Sequence, residues 1–71
     1  MATQIEAYIT GTVLKVRKNV GDLVSEGDIV LVLESMKMEM PLEAPGSGRV
    51  CAIEVVEGQR VSEGDVVLVL D

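Results

Sequence analysis

Val24-Ser25-Glu26-Gly27-Asp28-Ile29-Val30-Leu31-Val32-Leu33 returns later in the chain as Val61-Ser62-Glu63-Gly64-Asp65-Val66-Val67-Leu68-Val69-Leu70, with one difference, Ile29 against Val66. In each copy a Ser-Glu-Gly-Asp turn feeds an unbroken apolar run, the pattern of a strand buried on both faces. The same offset aligns residues 5–34 with residues 42–71 and adds identities at Glu6/Glu43, Ala7/Ala44, Gly11/Gly48, Val13/Val50 and Gly21/Gly58. With 14 of 30 aligned positions identical, the chain reads as an internal duplication.

Each copy has the same order of parts: a strand, a turn, a short extended piece, a second turn and the apolar strand. In the first copy Leu14 and Val16 alternate with Lys15 and Arg17, which predicts a half-buried strand with Leu14 and Val16 inward. Turns follow at Val20-Gly21-Asp22 and Ser25 to Asp28; their second-copy equivalents are Glu57-Gly58-Gln59 and Ser62 to Asp65. Gly21/Gly58 and Gly27/Gly64 are expected at positive φ. Pro41 and Pro45 bracket Leu42-Glu43-Ala44, which predicts a short strand near a sheet edge. Pro45-Gly46-Ser47-Gly48 is read as a turn inside one domain. No stretch has a helical period. Two units too small to bury their own apolar faces should pack together with approximate two-fold symmetry, as small antiparallel sheets face to face. Because both copies are whole, residues 1–71 are expected to form one complete domain, with the junction between copies and the chain ends at opposite ends of the sandwich.

Composition narrows the function classes. Seventy-one residues make one small domain that buries about 60% of its unfolded surface. With no Trp or Phe and a single tyrosine, Tyr8, the core must come from Val, Leu and Ile. A net charge of −6 argues against nucleic acid and against an anionic membrane surface. The longest apolar runs fall far short of the roughly 20 residues that span a bilayer, and no signal segment opens the chain, so a cytoplasmic protein is expected. Cys51 has no partner for a disulfide and is expected to be a small core residue. Glu26, Asp28, Glu63 and Asp65 could suggest a metal or acid–base cluster. They recur in duplicated turns, however, where acids bond local backbone, so no metal site and no catalytic group is assigned.

The junction is the unduplicated part. Ser35 to Pro41 have no counterpart, and within the hexapeptide Glu34-Ser35-Met36-Lys37-Met38-Glu39 a lysine stands between two methionines. In an ordinary strand such a triplet turns its methionines inward and its lysine to water. Met40 continues that alternation and is assigned to core or edge packing.

Glu34-Ser35-Met36-Lys37-Met38, with Leu33 before it and Glu39 after it, resembles the attachment motif of biotinyl domains, the biotin carboxyl carriers of the biotinyl/lipoyl superfamily. The resemblance covers essentially the whole chain, including the turn at Pro45-Gly46; most family members have Ala where this chain has Ser35. It implies an all-β flattened barrel-sandwich hybrid of two four-stranded antiparallel sheets. It also implies biotin joined as an amide to Lys37, with Met36 and Met38 recognised by partners and Glu34, Ser35 and Glu39 completing the hairpin. The implied protein is a non-catalytic carrier. A biotin protein ligase modifies it, a biotin carboxylase loads activated CO2, and a carboxyltransferase passes the carboxyl group to an acceptor, commonly an acyl-CoA as in fatty acid biosynthesis. A solvated lysine amine, with a reference pKa of about 10.4, is almost wholly protonated at neutral pH, so the ligase must supply both the activated acyl group and the means of deprotonation. The chain lacks the inserted thumb of some bacterial acetyl-CoA carboxylase carriers and the Pro/Ala-rich linker of many others. Lipoyl domains share the repeat but usually place Asp before and Ala after their lysine, and an unmodified structural or adaptor sandwich would need no Met-Lys-Met.

Overall fold

A computed structural model describes residues 2–71. Eight strands run in chain order: β1 Thr3–Glu6, β2 Gly11–Val16, β3 Leu23–Val24, β4 Ile29–Ser35, β5 Met38–Glu43, β6 Gly48–Ile53, β7 Arg60–Val61 and β8 Val66–Leu70. They form two four-stranded antiparallel sheets ordered β1-β8-β6-β3 and β5-β4-β2-β7. Each sheet takes two strands from each copy, so neither copy is a sheet by itself. The duplication extends to the register. Leu33↔Met40, Val32↔Pro41 and Leu31↔Leu42 in the β4–β5 pair match Leu70↔Thr3, Val69↔Gln4 and Leu68↔Ile5 in β8–β1. β2–β4 and β6–β8 correspond in the same way, from Val13↔Leu33 and Val50↔Leu70 onward.

Shared irregularities carry the symmetry further. Both copies bulge between Val13 and Lys15, or Val50 and Ala52, at the strand partner of the apolar run. An extra residue there ejects Leu14, which is 41% exposed, and turns Val13 and Val16 inward, a spacing of three instead of two. The expectation for Leu14 is thereby corrected. Cys51 is corrected for the same reason: it occupies the equivalent bulge, is exposed, and donates its thiol to the Val69 carbonyl at 3.4 Å. β5 also runs longer than the prolines suggested, from Met38 through Pro41 to Glu43, which an edge strand permits because Pro41 has no ladder partner on its outer side.

The core lies between the sheets. Val30, Leu31, Leu33, Val67 and Leu68 are wholly buried, and no polar or charged side chain among the described residues is buried with them. Ile29 departs from the run by being 42% exposed. Gly21, Gly27, Gly58 and Gly64 all have φ between +89° and +97°, as the turns required. In those turns Asp28 accepts from the Ser25 N–H and Asp65 from the Ser62 N–H, so the duplicated acids close local backbone. No helix among the described residues is long and apolar enough to cross a membrane.

Candidate functional site

β4 and β5 form the hairpin that carries the junction. Pairing continues past the core through Glu34↔Glu39 to Ser35↔Met38, leaving Met36 and Lys37 as a two-residue loop. Both have positive φ, 52° and 64°, the signature of a type I′ turn, whose twist matches that of the flanking strands. Such turns favour Asn-Gly. Met36 and Lys37 adopt this backbone at a cost of about 1 kcal/mol or more each, which only a well-anchored hairpin sustains. The neighbouring non-glycine turn residues avoid that region, since the other positive φ values among the described residues all belong to glycines.

Exposure decides between the two readings of Met-Lys-Met. Met36 is 90% exposed and Met38 is 59% exposed, so the alternation that would bury them does not apply. The turn interrupts the pleat at Met36, and Met38 starts a strand that has not yet reached the core. Met40, two residues further, is the first methionine to pack against the core. Lys37 is exposed and takes no part in the ion pair found among the described residues, Lys18–Asp28. Glu34 and Glu39 face each other across the ladder and are both exposed, a like-charge pair that slightly weakens the hairpin base.

What seats the hairpin is close backbone contact. Gly11 starts β2 directly beneath it, and a Cβ there would stand 2.5 Å from the Glu34 carbonyl oxygen. Ser35 is half-buried and donates its hydroxyl to the Thr10 carbonyl at 3.1 Å. Tyr8 donates its phenol to the Pro41 carbonyl at 2.9 Å. The sequence singled out Glu34, Ser35, Met36, Lys37, Met38 and Glu39, and the hairpin brings them together. Tyr8, Thr10 and Gly11 were not singled out as site residues. Only the retention of Gly11 in both copies signalled a position intolerant of a side chain.

The family model described as biotin-requiring enzyme matches residues 1–70, nearly the full chain. The chain belongs to the biotin-requiring enzyme family. Among its relatives, biotinylated protein TB7.3 of Mycobacterium tuberculosis is 50% identical over 44 residues, 62% of each chain. The match thus spans less than two thirds of that relative's length. The biotin carboxyl carrier protein of Streptococcus mutans is 47% identical over 47 residues, covering 66% of this chain and 36% of that one. Kluyveromyces lactis urea carboxylase contains the same fold, with a TM-score of 0.94 and 38% identity over all of this chain and 6% of that one. The barrel-sandwich architecture is therefore that of a biotinyl domain within a much larger carboxylase.

The residues present suit a covalently held biotin. An exposed primary amine in the two-residue turn of a paired hairpin offers an acylation point at its tip. The residues on either side of it are exposed too, and nothing in the fold needs to move for a partner to reach it.

Proposed function

We propose that the chain is a biotin carboxyl carrier, modified on the Nζ of Lys37. Its support is the turn itself: an exposed lysine, held in a left-handed backbone between two exposed methionines, at the one hairpin tip the duplication does not repeat. In the modification step, a biotin protein ligase removes a proton from the Lys37 ammonium. The freed amine attacks the carbonyl of an acyl adenylate, an amide forms and AMP leaves. The chain contributes presentation, which lowers the entropic barrier of bringing amine and acyl group together. Met36 and Met38 supply adaptable apolar contacts to the ligase and later partners. Bound biotin supplies a ureido group able to carry an activated carboxyl group. The hairpin confines that carrier between a biotin carboxylase and a carboxyltransferase, replacing free diffusion with a high effective concentration. The acceptor class is an acyl-CoA or a similar acid, and the compartment is the cytoplasm.

Intact-mass measurement after co-expression with a biotin protein ligase tests the reading. One biotin-sized increment is expected, absent in Lys37→Ala. A lipoyl increment, an unmodified chain, or an increment that persists in Lys37→Ala would each overturn it.

A further inference from the structure

The duplication provides an internal comparison for most contacts in the fold. Among the described residues, six of the eleven hydrogen bonds involving side chains occur as symmetry-related pairs. Ser25–Asp28 repeats as Ser62–Asp65, Asn19–Asp22 as Val56–Gln59, and the bond from Glu26 N–H to Ser47 as that from Glu63 N–H to Thr10. Of the five that do not repeat, Val16–Glu57, Arg49–Gly21 and Cys51–Val69 lie on the body of the sandwich. The other two are Tyr8–Pro41 and Ser35–Thr10. Both join the loop between β1 and β2 to the hairpin, one to each of its strands.

The equivalent loop in the second copy, Ala44 to Ser47, does without them. Tyr8 is replaced there by Pro45, which has no hydroxyl, and Ser35 has no counterpart. The sandwich therefore closes at that end with no such bonds, and the fold does not require them. They tie down the two strands of the hairpin that must hold Met36 and Lys37 in a disfavoured backbone. The loop is itself tied down: Thr10 uses its carbonyl for Ser35 and its hydroxyl for the Glu63 N–H in the β7–β8 turn.

We propose that the β1–β2 loop is a brace for the attachment hairpin, with Tyr8 and Ser35 as positioning residues that fix the direction in which Lys37 is presented to the ligase. The proposal rests on the carrier reading for its kinetic consequence but not for its structural one.

Nitrogen-15 relaxation of the unmodified protein tests the brace in Tyr8→Phe, Ser35→Ala and the double variant, each keeping side-chain bulk close to the original. In the double variant the backbone order parameters of Met36, Lys37 and Met38 are expected to fall from the rigid value near 0.85 to below about 0.7, while those of β2 and β8 stay unchanged. Tm should remain within about 8 °C, since the bonds are exposed and individually modest. Ligase assays should show KM for the carrier raised about 3- to 10-fold with kcat little altered, and Ser35→Thr should restore what Ser35→Ala loses. Unchanged order parameters at the turn would overturn the brace, as would a loss of order spread evenly through the sheets. Because relaxation is read before any acylation, those outcomes are independent of whether Lys37 is the modified residue, which the mass measurement decides.

Discussion

Gly11 and Gly48 show how one atom can set a position. Neither has a positive φ, so conformational freedom does not explain them. Each lies under the end of an apolar strand: a Cβ would stand 2.5 Å from the Glu34 oxygen at residue 11 and 2.9 Å from the Asp71 oxygen at residue 48. Gly11→Ala must push backbone against backbone and should destabilise the protein by about 1–3 kcal/mol, with the displacement concentrated at the hairpin. Gly21→Ala meets no neighbouring atom and should lose only the about 1 kcal/mol that an alanine forfeits at φ +97°. Urea denaturation separates the two, and equal losses would mean that Gly11 is not sterically fixed. The sequence marked both glycines by retaining them in each copy, but it could not distinguish a turn requirement from a close approach.

Among the elements, the hairpin and the bulged strands were legible to different degrees. The hairpin's position was readable because the sequence identities lapse from Ser35 to Pro41, although the register makes Met40 and Pro41 the counterparts of Thr3 and Gln4. Its turn geometry was not, since Met-Lys carries none of the Asn or Gly signal of a type I′ loop. Leu14 was misread because strict alternation assumes an unbroken ladder, and Cys51 because an unpaired cysteine is usually a core residue; the shared bulge turns both outward. The bulge is testable: Leu14→Ala should cost less than about 1 kcal/mol because Leu14 stands outside the core, whereas a residue at an inward position would cost several times more. At the hairpin tip, replacing both Met36 and Met38 by Leu should leave thermal stability within about 0.5 kcal/mol of the parent while slowing ligase acylation. A large drop in Tm would show that the methionines pack inward after all.

For the molecule as a whole, the all-β class and the two-sheet architecture followed from the duplicated apolar strands, because neither copy can bury Ile29 to Leu33 or Val66 to Leu70 alone. The exchange of strands between copies was not readable, since a register that repeats within each copy is compatible with either partner. That exchange makes the core common property of both halves. A chain of this size has roughly 4–11 kcal/mol of stability. Leu33→Ala, at a wholly buried position, should remove about 2–5 kcal/mol of it and loosen both sheets together. Chemical denaturation followed by probes in each sheet should give coincident transitions, and separate transitions would contradict a shared core.

The register match between Thr3↔Leu70 and Met40↔Leu33 has a mechanical consequence. The first and last strands lie side by side, so any polypeptide continuing from either end departs from one spot, as two cords from a single knot. A force along any such polypeptide would pull β1 and β8 as a pair, and the lysine-bearing tip, built on the other sheet, would stay out of the line of tension.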